Sequence, residues 1–366
     1  MAVASAYLDH NATSPLRPVA FDAMVEALRL GGNPSSVHRA GRAARTLIDR
    51  ARQQVAGLVG ALASEIIFTS GGTEANNLAL AGSGRKRVLV SAVEHDSVLK
   101  AVDGEVIAVD ANGIVDLGAL ERLLAASREP ALVSVMFANN ETGVLQPVAE
   151  VVRLARAFGA LVHCDAVQGA GKLAVDLHGL GVDYLSLSAH KLGGPTGVGA
   201  LAVRTGAPLA PDRLGGGQEL RRRAGTENLS GIAGFGAAAV AASDGLAVDG
   251  LRERLETSLL AMAPAKIFGA SAQRLGNTTC VAMPGVSSET QVMALDLAGV
   301  CVSAGAACSS GKVAPSHVLQ SMGFGAAANT AIRVSGGWAT TEADWRRFTE
   351  TWLAVQARFA LRRRAA

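Results

Sequence analysis

Short apolar runs alternate with longer segments of helical periodicity along most of the chain. The short runs are rich in β-branched residues and predict seven strands, at 66–69, 88–91, 107–109, 132–137, 161–164, 184–188 and 200–203. Apolar residues recur at helical spacing over 44–59 and again over 148–158, where Gly159 predicts a C-terminal cap. This alternation predicts an α/β protein with a mostly parallel seven-stranded sheet that helices cover on both faces.

The pattern changes beyond about residue 245. The remaining chain predicts helices at 251–262 and 289–298, a strand at 277–283 and an amphipathic C-terminal helix from Thr341. Because 366 residues exceed the usual size of one compact domain, we expect two. The large domain is predicted over 15–245, and a smaller α+β domain combines 1–14 with 246–366.

Composition narrows the class of protein. Hydrophobic residues make up 49% and charged residues 18%, and the net charge of +3 is too small to favour nucleic acid. No apolar stretch approaches the length of a membrane span, and the first residues lack the pattern of a signal peptide. We therefore expect a cytoplasmic protein that binds neither nucleic acid nor membrane.

The four cysteines form no C-x-x-C pair and meet no histidine cluster, so no metal site is expected. Cys164, Cys280 and Cys301 stand among apolar neighbours and are predicted to be core residues. Cys308 lies in a small, polar segment, 305–311, that offers nothing to bury a thiol against.

Candidate chemistry gathers at the predicted strand ends, where ligands bind in open α/β sheets. Lys191 follows the strand at 184–188, and Asp165 follows the strand at 161–164. A lysine that forms a Schiff base and an acid that holds a pyridinium nitrogen are what pyridoxal phosphate (PLP) needs from a protein. A solvated loop lysine is the ordinary alternative for Lys191 taken alone.

Further candidates follow other strands. The glycine turn at 70–74 leads into a helix whose first N–H groups could hold a phosphate, although an ordinary strand–helix turn would look the same. His95 could stack on a planar ring or cap a helix. Asn140 could bind a ligand or form part of a turn. The Gly- and Arg-rich loop 215–226 could bind a phosphate, or it could be a solvated connection between secondary-structure elements. Arg333 inside an apolar strand needs a carboxylate, from a ligand or from the protein.

Taken together, these runs resemble the cysteine desulfurases of the NifS type, PLP enzymes of fold type I in the class V aminotransferase group. The matching runs span nearly the whole chain, at 7–13, 32–38, 68–76, 94–95, 139–143, 165–168, 188–191, 215–226, 303–319 and 332–336. The resemblance implies conversion of L-cysteine to L-alanine. The sulfur would pass, as an enzyme-bound persulfide, to an acceptor protein in iron–sulfur cluster or related sulfur-cofactor assembly. It also implies PLP as cofactor and a homodimer.

The resemblance implies a role for each matching residue. Lys191 would hold PLP covalently and act as a base, and Cys308 would be the nucleophile. Asp165 would face the ring nitrogen, Gln168 would bond the phenolic oxygen, and His95 would stack on the ring.

The same resemblance places Asn140 near that face of the ring. The phosphate would be bound by Gly72, Thr73, Ser188, His190 and the partner subunit's Thr226. Asn33 and Arg333 would hold the substrate carboxylate. The chain departs from many relatives in having Gly72 where they have alanine, and in having only 33 residues after Arg333. Housekeeping relatives use a longer tail to dock a scaffold protein, which leaves that partner open.

Three alternatives remain at this stage. A selenocysteine lyase would share the same site, and an aminotransferase would share all of it except the need for Cys308. A non-catalytic scaffold with this fold would have no reason to keep Lys191, Asp165, His95 and Arg333 together. The sulfur acceptor and its pathway also stay open, between an iron–sulfur scaffold and a sulfurtransferase.

Overall fold

The structure, a computed structural model, describes residues 5–246, 250–305, 315–325 and 327–365. Its strands there are β1 (Ala6–Tyr7), β2 (Ile66–Thr69), β3 (Arg87–Ser91), β4 (Glu105–Ile107), β5 (Ala131–Ser134), β6 (Leu161–Asp165), β7 (Tyr184–Ser188), β8 (Gly199–Val203), β9 (Lys266–Ile267), β10 (Thr278–Ala282), β11 (Val300–Cys301), β12 (Ser303–Ala304) and β13 (Ala331–Ser335). Its α-helices are α1 (Pro18–Leu30), α2 (Arg39–Leu58), α3 (Gly72–Gly82), α4 (Asp96–Leu99), α5 (Leu117–Ala125), α6 (Val148–Ala157), α7 (Leu177–Leu180), α8 (Leu229–Ala241), α9 (Leu251–Met262), α10 (Ser288–Leu297), α11 (His317–Ser321) and α12 (Glu342–Ala365). Short 3₁₀ helices occupy Ala63–Glu65, Ala189–Lys191, Gln218–Arg221 and Ala327–Asn329.

The largest sheet has seven strands in the order β2-β8-β7-β6-β5-β3-β4. Neighbouring strands are parallel except at β8, which runs antiparallel to both β2 and β7. The predicted mostly parallel seven-stranded sheet is therefore confirmed, and β2 and β7 have the predicted bounds. Because all strands except β8 point the same way, their carboxyl ends lie along one edge, where binding residues can meet.

Two strands depart from the prediction by more than one residue at an end. β5 ends at Ser134 rather than residue 137. Its pairing with β3 stops there, since the N–H of Met136 donates to Oε1 of buried Glu94 at 2.7 Å, although Val135 N and Phe137 N still donate to carbonyls of β6. β4 begins two residues before the predicted 107–109. It extends that way because Arg87 of β3 holds the Glu105 carboxylate at 2.5 Å, so a charged residue fits the edge of the sheet.

Strand residues face opposite layers of helices in turn. Ile66 and Phe68 of β2 pack with Ile48 and Phe235 of α2 and α8, while Ile67 between them packs on the other face with α3. This period of two is the pattern of a strand that is buried on both faces. No helix of the described residues is both long and apolar enough to cross a membrane.

A second, antiparallel sheet has the order β12-β13-β10-β9. Its core includes Trp345, Phe348 and Trp352 of α12, which lie apart from the core of the large sheet. β1 pairs in parallel with β11 and so brings the N-terminal segment to this unit. The predicted division into 15–245 and 1–14 with 246–366 stays a prediction, which this separate core supports.

A buried ion pair holds the Gly- and Arg-rich loop against the large sheet. Glu219 and the two residues after it have left-handed backbone conformations, with φ between 46° and 64°, which non-glycine residues rarely adopt. Arg52 of α2 binds both carboxylate oxygens of Glu219, at 2.6 and 2.8 Å, and Phe68 N donates to the same group at 3.0 Å. The pair compensates the strained backbone and places Arg223 next to the glycine turn.

Candidate active site

The segment 9–13 lies where the carboxyl ends of the large sheet meet the second sheet. Lys191, in the 3₁₀ helix after β7, donates from Nζ to the carbonyls of Asn11 at 2.7 Å and Ala12 at 2.8 Å. Gln168, which follows β6, donates from Nε2 to the Asn11 carbonyl at 2.9 Å. Arg333 of β13 donates from NH2 to Asp9 at 2.8 Å. Residues that are far apart in the sequence therefore converge on one short segment.

Asp165 ends β6 with a nearly buried carboxylate whose two oxygens are both held. Oδ1 accepts from Val167 N at 3.0 Å, and Oδ2 accepts from Asn76 Nδ2 at 2.8 Å. Both oxygens are therefore engaged, and the carboxylate is held in one orientation. Asn76 is a positioning residue that the sequence reasoning did not single out, although it lies in the matched run 68–76.

The same amide continues the network to His95. Asn76 Nδ2 donates to Ser97 Oγ at 2.9 Å, and Ser97 Oγ lies 2.8 Å from His95 Nδ1. Because Ser97 N also donates to Nδ1, at 3.1 Å, this nitrogen is an acceptor. The neutral ring therefore carries its proton on Nε2, and the orientation of His95 is tied to that of Asp165.

Two buried groups lie near Asp165, and burial disfavours the charged form of each. Burial, and then the charge of Asp165, raise the pKa of Glu94 well above its usual value. Burial lowers the pKa of His163 to about 4, and its neutral ring bonds Ser134 and Ser186. Asp165 is therefore the carboxylate of this cluster whose two oxygens both accept hydrogen bonds.

The glycine turn forms an open helix terminus. α3 begins at Gly72 and has no side-chain cap within the described residues, so its first N–H groups point outward. A Cβ added at Gly72 would lie 2.9 Å from Val167 Cγ2 and 3.4 Å from Ser188 Cβ. Thr73 is exposed beside it. The terminus thus adjoins Ser188, as a shared anion site requires.

His190 lies in the 3₁₀ helix that follows β7, two residues after Ser188. Thr13 Oγ1 donates to the Ala12 carbonyl at 2.8 Å, so His190 Nδ1 must be the donor in its 3.1 Å contact with Thr13 Oγ1. Burial, and then the charge of Lys191, lower the pKa of His190 to about 4. The neutral ring therefore presents Nε2 as an acceptor, and an anion bound there would favour its protonation.

Arg333 is nearly buried between the two sheets. Besides its bond to Asp9, it donates from NH1 to the Asn140 carbonyl at 3.3 Å. Asp9 is itself fixed, because Ser303 donates to its other oxygen at 2.8 Å. The Nε of Arg333 is buried and has no hydrogen-bond partner within the described residues. An unpartnered buried N–H is costly, and a bound carboxylate would satisfy it.

Two predicted residues lie outside this convergence in the single chain. Asn33 is exposed between α1 and α2, where its Oδ1 accepts from Ser35 N at 2.8 Å. Thr226 is exposed on the Arg-rich loop. The contacts within the described residues join neither of them to Lys191 or Arg333. Their predicted roles stay predictions.

Cys308 lies outside the described residues. The prediction that Cys164 and Cys280 are core residues is confirmed, since both thiols are buried and burial raises their pKa values. Cys301 is only half-buried. The prediction of a core position was wrong there, because Cys301 belongs to the two-stranded pair of β1 and β11 and its sulfur contacts exposed Ser5 at 3.3 Å.

The arrangement has the chemistry that PLP requires. An open helix terminus beside Ser188 suits a phosphate, the hydrogen-bonded carboxylate of Asp165 suits a pyridinium nitrogen, and the Lys191 amine suits an aldehyde. The contact between Gly72 and Val167 shows that these parts adjoin one another closely.

Comparisons with known proteins agree with this arrangement. The family model of the class-V aminotransferases matches residues 6–348. A cysteine desulfurase of Cereibacter sphaeroides is 47% identical over 364 residues, which cover 94% of each chain. The X-ray structure of a NifS-like protein from Rickettsia africae ESF-5 superposes with a TM-score of 0.88 at 37% identity, covering 95% of this chain and 98% of that one. A structure of SspA in complex with cysteine has a TM-score of 0.78 at 29% identity, over 90% of this chain and 98% of that one.

Glu74 stabilises the glycine turn from inside α3. Its carboxylate accepts from Ser70 N at 2.7 Å and from Arg223 Nε at 2.8 Å, and it also pairs with Arg213. Burial alone would raise the pKa of Glu74. The hydrogen bonds from Arg223 and Ser70 outweigh burial and lower this pKa to about 2.

We expect Glu74→Gln to lower the free energy of unfolding by roughly 3 kcal/mol near neutral pH, which is the equivalent of that pKa shift. The folded-state pKa lies below the unfolded value of 4.5. The stabilisation is therefore complete above about pH 5 and is lost as the pH falls toward 2. Denaturant unfolding at successive pH values should show the difference from wild type shrink with acid, while the exposed control Glu121→Gln stays near wild type. A difference that persists unchanged to about pH 3 would contradict the assignment.

Proposed function

Because the chain belongs to the cysteine desulfurases of the class-V aminotransferase family, we propose that its site converts L-cysteine to L-alanine and passes the sulfur through Cys308. The observation that carries the proposal is the convergence of Lys191, Gln168 and Arg333 on the segment 9–13. It places an amine, an amide donor and a guanidinium around one small space. The relative whose structure holds cysteine supports that amino acid as the substrate.

PLP would be held at three points. Lys191 would bind its aldehyde carbon, Asp165 would hold a proton at its ring nitrogen, and the N-terminus of α3 with Thr73, Ser188 and His190 would bind its phosphate. When bound, PLP supplies an electron sink for the charge that forms at the substrate's α-carbon. Gln168 would donate to its phenolic oxygen, and His95 would stack on the ring with Asn140 near the same face.

Arg333 would bind the substrate carboxylate. Its Nε is the buried donor without a partner among the described residues, and Asp9 fixes the guanidinium from the other side. Asn33 would contribute an amide to the same carboxylate. A guanidinium held in this way would orient the substrate relative to the Lys191 amine.

The proton transfers use groups whose protonation the contacts define. Lys191 Nζ would take the proton from the α-carbon, once the substrate amine has displaced it. His95 carries a proton on Nε2 and is joined to Asp165 through Ser97 and Asn76, so it would move a proton at the ring face. Burial raises the pKa of Glu94, and Glu94 takes no part in these steps.

Cys308 would then receive the sulfur. Its thiolate attacks the substrate sulfur, an S–S bond forms, and the bond from sulfur to the β-carbon breaks. The electron pair of that bond stays with the carbon fragment, which takes up protons and leaves as alanine. The persulfide sulfur then passes to an acceptor protein, an iron–sulfur scaffold or a sulfurtransferase. A thiol reductant substitutes for this acceptor in the assays below.

The first test is the reaction itself. The purified protein with PLP, L-cysteine and a thiol reductant should release alanine and sulfide in equal amounts, and the protein should be yellow. Lys191→Ala should lose the visible band and at least about 10³-fold of the rate, because no other amine stands at the aldehyde position. Lys86→Met, at an exposed position, should leave both unchanged. A colourless wild type, or one that makes pyruvate instead of alanine, would refute the proposal.

The second test concerns the nucleophile. Cys308→Ser should keep the visible band and still change its spectrum when cysteine is added, because Lys191, Asp165 and Arg333 are intact. It should lose sulfide release, since a hydroxyl is a far poorer nucleophile toward sulfur than a thiolate. Cys164→Ala, Cys280→Ala and Cys301→Ala are the matched controls and should keep most of the activity. Mass spectrometry should find one added sulfur atom on Cys308, and its appearance on Cys301 would overturn the assignment.

We also propose that two chains form a symmetric homodimer around the Arg-rich loop. Leu214 and Leu220 of that loop are 87% and 63% exposed, although both are large apolar residues. Burying them against a second copy would stabilise the dimer. It would also bring the partner subunit's Thr226 to the phosphate.

Leu214→Glu combined with Leu220→Glu should therefore shift the protein toward monomers in analytical ultracentrifugation and lower its activity. Leu297→Glu is the matched control, because Leu297 is 90% exposed on α10 of the second unit. Mixed dimers of Lys191→Ala with Thr226→Glu should regain activity that neither variant has alone, since one of their two sites would be intact. A fully active wild-type monomer, or no regain on mixing, would contradict a shared site.

A further inference from the structure

Lys172 is a buried lysine to which the proposed chemistry gives no role. It lies in the turn after β6, four residues beyond Gln168, and is only 8% exposed. Its Nζ donates to Gln168 Oε1 at 2.7 Å and to Asn11 Oδ1 at 2.7 Å. Burial, then the charges of Lys191 and Arg333, hold the pKa of Lys172 well below its usual value. The described contacts give it no carboxylate partner, so its position stabilises the fold little.

The contacts of Gln168 define which way its amide faces. A lysine amine is a donor toward an amide, so the atom of Gln168 that faces Lys172 must be the carbonyl oxygen. A backbone carbonyl only accepts, so the atom that faces Asn11 O must be the amide nitrogen. Both neighbours demand the same orientation. The amide is therefore fixed by chemistry and not by the choice between two similar atoms.

Asn11 holds Lys172 in place by the same reasoning. Its Oδ1 faces the lysine, while its Nδ2 donates to the Asn140 carbonyl at 3.1 Å and to Thr278 Oγ1 at 2.9 Å. The carbonyl of Asn140 accepts only, so this amide cannot turn over either. Lys172 is thus fixed on one side by Asn11 and fixes Gln168 on the other.

Fixing Gln168 in this orientation has a consequence for its second N–H. One N–H of Nε2 binds the Asn11 carbonyl, which Lys191 also binds. The other N–H makes no hydrogen bond with the described residues and belongs to the nitrogen that stands beside Lys191. If the amide turned over, the carbonyl oxygen of Gln168 would face this space and repel a phenolic oxygen.

We propose that Lys172 is a positioning residue, which acts through Gln168 to keep an amide N–H directed at the phenolic oxygen of PLP. This inference rests on the proposed function, because it takes PLP as the ligand beside Lys191. Without the lysine, the two orientations of Gln168 differ only by the Asn11 contact. The amide would then spend part of its time with the wrong atom toward the cofactor.

The test is a double-mutant cycle on the dissociation constant of PLP, measured by its visible absorbance. Lys172→Met keeps the length of the side chain and removes the donor, and it should weaken PLP binding about three- to tenfold, as expected for one misdirected hydrogen bond. In a Gln168→Ala background the same change should cost less than about twofold, because the group through which Lys172 acts is gone. Lys172→Met and Gln168→Ala should also shift the visible band in the same direction. Lys86→Met should do neither.

A merely structural role of Lys172 predicts a different result. The penalty on PLP binding would then be the same in both backgrounds, and that additivity would overturn the proposal, as would unchanged binding in Lys172→Met. Thermal unfolding of each variant reports its stability separately. If Lys172→Met does not fold, Lys172→Leu, which also removes the donor, takes its place in the cycle with the same criteria. A wild type that binds no PLP would instead refute the proposed function.

Discussion

One backbone carbonyl, that of Asn11, holds the two halves of the site together. It accepts hydrogen bonds from Lys191 at 2.7 Å and from Gln168 at 2.9 Å, both of the large sheet. The side chain of the same residue binds Thr278 of the second sheet and the carbonyl of Asn140. The Gln168 contact spans 157 residues of sequence and the Lys191 contact spans 180. The site therefore forms only when the N-terminal segment is docked between both sheets.

The positive charges of the site would attract an anionic ligand, although they do little to stabilise the folded chain. Lys172 lies close enough to Lys191 and Arg333 for both to lower its pKa. Asp9 offsets the charge of Arg333, while Asp165 is held by the neutral amide of Asn76. Like charges that are buried away from solvent repel one another and destabilise the folded protein. A ligand that carries a phosphate and a carboxylate would relieve this repulsion. The relief would add to the favourable free energy of binding of such a ligand.

How much of the site the sequence could predict depends on how far each contact reaches. Lys191, Asp165 and His95 follow strands whose apolar runs are easy to recognise, and a parallel sheet brings such ends together whatever the details. Asn11 and Lys172 carry no local pattern, because their partners are set by tertiary docking. The end of β5 was missed for the same reason, since a side chain more than 40 residues away, that of Glu94, takes the Met136 N–H out of the ladder.

The described residues on either side of the segment 306–314 meet at one carboxylate, that of Glu141. Ser316 donates to Glu141 at 2.5 Å, and a Cβ added at Gly305 would lie 3.1 Å from the same carboxylate. Both flanking residues are fastened beside Asn140, whose carbonyl binds Arg333. The two described flanks of the segment 306–314 therefore lie on the side of the site where Arg333 is held.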